Sequence, residues 1–297
     1  MVPRESAGVL TSPAQVHCLA FVHFGSLSVF PSPAFLIPIV SMDGPAAASS
    51  IPEHYHLPGF YEPFSSISHM VGAVIFLVLG ILLLRRGRGS SERLFFLGVY
   101  VFSGVFLFSM SAVYHMLERG GDGRWVLARL DHCAIFVLIA GTFTPVQGIL
   151  FRGFWRWIPL LIVWSAAIAG MTLKTIFFDD LAEWLGLTFY IALGWIGALS
   201  GIVLYKKFGF NFVQPLILGG LAYSIGGVME YLNFLVLVPG VIHPHDIWHI
   251  MVILGAFFHG LFVWEFADGT IHPIGVPKLA EHGLPIEPHD LLPDLLS

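Results

Sequence analysis

Seven runs of about 20 mostly apolar residues, each long enough to cross a bilayer as a helix, restrict this chain to one class of fold. They cover approximately Phe64–Leu84, Leu94–Leu117, Leu130–Phe151, Trp155–Leu173, Trp184–Tyr205, Phe212–Val238 and Ile247–Phe266. Short segments rich in glycine, proline or charged residues separate the runs, as is typical of loops. The sequence therefore predicts an all-α, polytopic membrane protein with seven transmembrane helices.

The composition agrees with lipid as the main solvent. Hydrophobic residues make up 56% of the chain and charged residues 11%, whereas a soluble domain carries roughly 25% charged residues. The basic residues form short loop clusters and no continuous stripe, which argues against a nucleic-acid partner. The two cysteines, Cys18 and Cys133, are too few for a disulfide framework. Membrane lipid is the expected partner.

The chain divides into three predicted parts: an N-terminal extension (1–59), a seven-helix membrane core (60–267) and a polar, proline-rich C-terminal tail (268–297) with little structure. Residues 16–40 are apolar but interrupted by prolines. Three interpretations of the extension stay open: a signal-like segment, an eighth span, or a wrongly assigned start that places the true start at Met42.

Alternation of seven spans assigns each helix end to one side of the bilayer. We define face A as the side where the first helix begins; the second and sixth helices end there, and the third and seventh begin there. The ionisable and polar residues of the spans gather at this face. They are Glu62, His69, Ser111, His115, Asp131, His132, His245 and His249.

The spacing within this group suggests a metal site. His245 and His249 are four residues apart, so their imidazoles project from the same side of a helix, and His115 supplies a third nitrogen. Three histidines with one open position are typical of catalytic zinc. Asp131 would act as general base on a zinc-bound water, and Ser111 would orient the water or donate to a substrate oxygen. From spacing alone, a metal site and packed core histidines both remain open.

Other polar residues have two interpretations each. His69 is either a partner of a metal ligand or a helix–helix hydrogen-bonding residue. His132 and His259 are expected to pack and hydrogen-bond without binding metal. Glu62 is either an interfacial residue or part of the site. Glu230 lies within an apolar run, where a carboxyl group is either functional or protonated and packed.

Five segments also resemble the hemolysin III family, which is grouped with the progestin and adipoQ receptors. The segments are Ser111–His115, Leu130–Phe136, Ile139–Pro145, His245–His249 and Gly255–His259. The similarity covers approximately residues 60–267. Glu230 departs from the pattern, since the family tends to have an aromatic residue there, and the N-terminal extension has no counterpart in the bacterial members.

The resemblance implies a seven-helix fold with an intramembrane zinc ion bound by His115, His245 and His249. It also implies that Asp131 contacts the zinc through water and that Ser111 lies close by. Related receptors and alkaline ceramidases are similar in using such a site for amide hydrolysis on lipids.

Three functions follow as hypotheses. The first is a zinc-dependent hydrolase of a lipid amide or ester, the second a membrane receptor or regulator with structural zinc, and the third a pore, as the hemolysin label suggests. The expected location is the bacterial cytoplasmic membrane. The substrate and the oligomeric state are not predicted.

The distribution of basic residues predicts the orientation, because cytoplasmic loops carry an excess of lysine and arginine. Face A has Arg4, Arg119, Arg124, Arg129 and Lys174. The opposite side has Arg85, Arg86, Arg88, Arg93, Arg152, Arg156, Lys206, Lys207 and Lys278. Face A is therefore predicted to lie outside the cytoplasm. Resemblance to the adiponectin receptors implies the reverse, with the zinc face cytosolic.

Overall fold

The computed structural model describes Tyr55, residues 57–271 and the segment 284–285. Most of the predicted N-terminal extension, including Met42, lies outside the described residues. So does most of the predicted tail. The description below therefore concerns the membrane core.

The core consists of eight α-helices that make seven spans. They are α1 (Pro63–Arg86), α2 (Ser91–Met116), α3 (Asp122–Leu150), α4 (Gly153–Ile176), α5 (Glu183–Trp195), α6 (Gly197–Phe208), α7 (Phe210–Tyr231) and α8 (Pro244–Trp264). The helices α5 and α6 meet at Ile196 and form one apolar span, Glu183–Phe208. Seven spans among the described residues are thus long and apolar enough to cross a membrane, which confirms the predicted fold class.

A short pairing follows the last helix. Strand β1 (Thr270–Ile271) pairs antiparallel with strand β2 (Leu284–Pro285). These strands lie beyond the end of α8 and contribute nothing to the site described below.

Helix α3 occupies the middle of the bundle. Every residue from Ala140 to Leu150 is buried, and α3 packs against α2 and α4, while α1 packs against α2 and α7 against α8. Glycine makes the closest approach possible: a Cβ atom on Gly141 would lie 2.1 Å from the Oγ atom of Ser103 on α2. The outer surface carries exposed apolar side chains such as Phe102 and Leu161, which suits a lipid environment.

Two predicted helix bounds are wrong. Helix α3 begins at Asp122 rather than Leu130, because the charges of its first two turns are satisfied by contacts with neighbouring segments. Asp131 therefore lies well inside the helix. Helix α7 ends at Tyr231 rather than Val238, because the following residues include two with positive φ, Asn233 (48°) and Leu235 (75°), which no right-handed helix accommodates.

Candidate metal centre

Three imidazoles from two helices converge at face A. His115 is the penultimate residue of α2, and His245 and His249 lie in the first two turns of α8. The Nε2 atom of His245 lies 3.2 Å from the Nε2 atoms of both His115 and His249. One potential ligand atom from each of the three side chains lies within 4.8 Å of the other two.

The Nδ1 atoms of these imidazoles all contact hydrogen-bond acceptors. His249 donates to the backbone carbonyl of Ser65 at 3.2 Å, and His245 donates to Oε1 of Glu230 at 2.7 Å. His115 donates to Oε2 of Glu62. Since a carbonyl or an ionised carboxylate can only accept, each Nδ1 carries a proton, and in the neutral imidazole the lone pair then lies on Nε2.

Neutral imidazoles in these tautomers would direct three lone pairs toward one point, where a cation would be held. The described geometry therefore supplies two features that a metal site requires, which are converging Nε2 atoms and a hydrogen-bond acceptor at each Nδ1. The group formed by His115, His245 and His249 can hold a metal ion. It is the candidate metal centre.

Glu62 anchors the first of these histidines. It lies immediately before α1 and is only 5% exposed. Its Oε1 atom accepts from Arg124 at 2.7 Å and from Arg119 at 3.3 Å. Burial alone would raise the pKa of Glu62, but the hydrogen bonds from His115 and Arg124 and the charge of Arg124 outweigh it and hold the pKa well below its usual range. The carboxylate is therefore ionised at neutral pH.

The start of α8 is fixed to the start of α1. Asp246 accepts from the backbone N–H of His243 at 2.9 Å, while the His243 side chain completes a capping box. The same carboxylate accepts from the Ser65 hydroxyl at 2.6 Å. With Pro244 at the first helical position, these bonds set where His245 and His249 emerge from α8.

A cavity of about 1050 Å³ opens over the metal centre. At the site, the side chains of His245 and Glu230 are 39% and 35% exposed, whereas the His115 side chain is 3% exposed. Asp131 also lines this cavity. Further lining residues come from the loops and helix ends of face A, namely Tyr114, Arg119, Asp122, Arg124, Trp125, His132, Glu183, Asn233 and His243.

The two other predicted site residues, Asp131 and Ser111, differ in their position relative to the cavity. Asp131 is half-buried and faces the cavity that His245 lines. Ser111 is 2% exposed and lies one helical turn before His115, but it is not part of the cavity wall. The roles given to Asp131 and Ser111 stay predictions.

The remaining spanning histidines make the packing contacts expected of them. His132 donates to the carbonyl of Ala128 at 2.8 Å, and His259 on α8 donates to the carbonyl of Leu216 on α7 at 3.3 Å. His69 combines both of its interpretations. It donates to the backbone carbonyl of His249 at 3.4 Å and its ring stacks on that imidazole, with centroids 3.8 Å apart.

Sequence reasoning missed Asp246, Ser65 and Arg124. Asp246 carried a usable signal, because an acidic residue three positions after a polar residue and two positions after a proline is typical of a helix start. The contact between Ser65 and Asp246 joins segments 181 residues apart, which no local pattern reveals. Arg124 was assigned to a loop and so was counted only as a topological charge.

These features define a class of protein: a polytopic membrane protein with a buried three-histidine centre beneath one bilayer face. The family model described as "Haemolysin-III related" matches residues 60–260. The chain therefore belongs to the haemolysin-III-related family, as the sequence motifs suggested.

Two bacterial relatives are similar over nearly their whole length. The chain is 31% identical to "Hemolysin-3" of Bacillus cereus, over 68% of this chain and 90% of the relative. It is 29% identical to "Hemolysin-3 homolog" of Bacillus subtilis (strain 168), over 68% of this chain and 93% of the relative. A more distant relative is "Adiponectin receptor protein" of Drosophila melanogaster, at 24% identity over 78% of this chain and 57% of the relative.

Proposed function

We propose that this protein is a zinc-dependent hydrolase of the bacterial cytoplasmic membrane that cleaves an amide or ester bond of a lipid. The observation that carries the proposal is the convergence of three Nε2 atoms whose imidazoles all donate from Nδ1, beside a large cavity. The Bacillus relatives support the bacterial location.

The donor set fits zinc. Zinc is commonly bound by histidine nitrogens at about 2.0–2.1 Å, so two ligands on a tetrahedral ion lie about 3.3 Å apart. The two measured Nε2–Nε2 distances are 3.2 Å. Three histidines also leave one position for water or substrate, as catalytic zinc sites do.

The position in the membrane fits a lipid substrate. The centre lies where α2 ends and α8 begins, close to a bilayer face. The amide and ester bonds of lipids lie at this depth, between the polar headgroup and the acyl chains. The cavity would hold the headgroup next to His245 and Glu230.

The catalytic roles are divided among few residues. A bound zinc ion would polarise the scissile carbonyl and acidify a water molecule. Asp131, across the cavity, would accept the proton of the attacking water and return it to the leaving amine or alcohol. His115, His245 and His249 would hold the ion as neutral imidazoles, and Ser111 would orient the water or donate to a substrate oxygen.

A structural role for zinc is the second candidate function. The centre joins α2 to α8, and the partners of its histidines extend the connection to α1 and α7. A receptor that changes shape would use such a clamp. The relative named "Adiponectin receptor protein" is consistent with this alternative.

Metal analysis tests whether the three histidines bind zinc. Detergent-purified wild-type protein is expected to contain about one zinc per chain, and the His245→Ala, His249→Ala double variant is expected to contain almost none. His259→Ala is the matched control, because it removes a histidine of the same helix that bonds a carbonyl of α7. Equal zinc in wild type and the double variant would contradict the proposal.

The Asp131→Asn variant distinguishes a zinc-dependent hydrolase from a protein in which zinc has only a structural role. In a hydrolase this variant keeps its zinc but loses activity against lipid amides and esters by about 10²–10⁴-fold, the usual contribution of a general base. Asp122→Asn is the control, since Asp122 lines the same cavity from the first turn of α3. Wild-type protein with stoichiometric zinc and no hydrolysis across a panel of lipid amides and esters would favour the clamp.

A further inference from the structure

Glu230 lies next to the metal centre at the penultimate position of α7. One carboxylate oxygen, Oε1, accepts from Nδ1 of His245 at 2.7 Å. The other, Oε2, is buried and has no hydrogen-bond partner among the described residues. A buried carboxylate oxygen without a donor is destabilising, so its presence beside a histidine cluster needs a physical reason.

The two carboxylates that hold histidines differ in their charge balance. Glu62 contacts His115 and is also paired with Arg124 at 2.7 Å and Arg119 at 3.3 Å. Glu230 contacts His245, and within the described part of the chain it forms no ion pair with arginine or lysine. The negative charge of Glu62 is therefore compensated by protein groups, whereas that of Glu230 is not.

A divalent cation in the centre would place positive charge near Glu230, whose carboxylate has no arginine or lysine partner among the described residues. Glu62 already has such partners in Arg124 and Arg119. A cation on the far side of His245 would therefore stabilise the unpartnered oxygen of Glu230.

Glu230 also restrains the most exposed of the three imidazoles. The side chain of His245 is 39% exposed to the cavity, while that of His115 is 3% exposed. An exposed imidazole without a partner on Nδ1 would rotate and exchange tautomers. The bond from α8 to the end of α7 holds its Nε2 atom toward the other two histidines.

We propose that Glu230 is a positioning residue, which fixes the orientation of His245 and supplies a negative charge close to the bound divalent cation, so that it raises the metal affinity of the site. This inference rests on the proposed metal centre and adds to it a residue that does not touch the ion. Carboxylate partners of metal-binding histidines act in this way, and their loss typically weakens metal binding about 10–100-fold.

The experiment measures the zinc affinity of the full chain in detergent by competition with a chromogenic chelator. Glu230→Leu removes both the charge and the hydrogen bond, and its zinc affinity is expected to fall about 10–100-fold. Glu230→Gln keeps an oxygen that accepts from His245, so its zinc affinity is expected to fall less than that of Glu230→Leu. Glu183→Gln is the matched control, because Glu183 lines the same cavity without contacting a histidine of the centre, and its affinity is expected to stay within about twofold of wild type.

Thermal unfolding of the metal-free proteins distinguishes positioning from a general structural role. A positioning role predicts similar midpoints for metal-free wild type and both Glu230 variants, with the differences appearing only when zinc is added. Unchanged zinc affinity in both Glu230 variants overturns the inference. A loss of zinc affinity in Glu183→Gln as large as that in the Glu230 variants overturns it too. Wild-type protein that binds no divalent cation overturns the proposed zinc centre as well, which keeps the two failures distinguishable.

Discussion

At the scale of single residues, Glu62 has the least freedom to change. Its two oxygens contact groups from the end of α2 and the start of α3, and the Arg124 guanidinium that it holds also lies 4.6 Å from the centroid of the Tyr114 ring. Arg124 itself is 7% exposed. A buried arginine whose carboxylate partner is removed becomes an uncompensated buried charge, which is strongly destabilising.

Glu62→Gln is therefore expected to lower the free energy of unfolding by about 3–5 kcal/mol, the usual cost of breaking a buried ion pair from one side. The double variant Glu62→Gln, Arg124→Met should recover part of this loss, because no unpaired cation remains. Thermal or denaturant unfolding in detergent measures the double-mutant cycle. Strictly additive effects of the two substitutions would show that the pair is not coupled.

The clustering of the three histidines could be predicted from the sequence, whereas their hydrogen-bond partners could not. Four-residue spacing places His245 and His249 on one helix side, and topology brings His115 to the same depth. Glu62, in contrast, reaches His115 across 53 positions of sequence, and only packing determines that its oxygen meets Nδ1. Glu230 was recognised as unusual, but the sequence offered no means of pairing it with His245.

At the scale of helices, hydropathy predicts which segments span and is poor at locating their ends. The first two turns of α3 contain Asp122, Arg124 and Arg129, which a hydropathy pattern assigns to a loop. The structure places them in the helix, because Arg124 binds Glu62 and Arg129 lies 3.3 Å from Asp179. The break between α5 and α6 was missed for the opposite reason, since both halves are apolar.

Close packing of α2 against α3 holds His115 and Asp131 in their relative positions. A substitution at Gly141, where the two helices meet, tests the importance of this packing. A Cβ atom there would lie 2.1 Å from Ser103 Oγ and 2.5 Å from Ser103 Cβ. Gly141→Ala is expected to lower the free energy of unfolding by about 1–3 kcal/mol, the usual cost of overpacking.

Gly98→Ala is the control for this prediction. It lies in α2, where an added Cβ meets nothing within 4 Å, so the higher helix propensity of alanine should leave stability unchanged or slightly raised. Both variants are compared by thermal unfolding in detergent. Equal midpoints for Gly141→Ala and wild type would mean that α2 and α3 can separate without loss.

At the scale of the whole molecule, the seven spans place the metal centre and the C-terminal end of α8 on opposite sides of the membrane. The basic residues of the described core are distributed unevenly between these sides. The side opposite to face A has Arg85, Arg86, Arg88, Arg93, Arg152, Arg156, Lys206 and Lys207, and face A has Arg119, Arg124, Arg129 and Lys174.

The positive-inside rule then predicts that face A lies outside the cytoplasm. A C-terminal fluorescent-protein fusion is expected to fluoresce, and a C-terminal alkaline phosphatase fusion is expected to be inactive, because each reporter works on only one side of the bacterial membrane. Fusions made after Gly240, in the loop between α7 and α8 on face A, should give the opposite pattern and so control for expression. An active C-terminal phosphatase together with a fluorescent loop fusion would place the metal centre toward the cytoplasm. In that case the cavity would receive lipids of the inner leaflet.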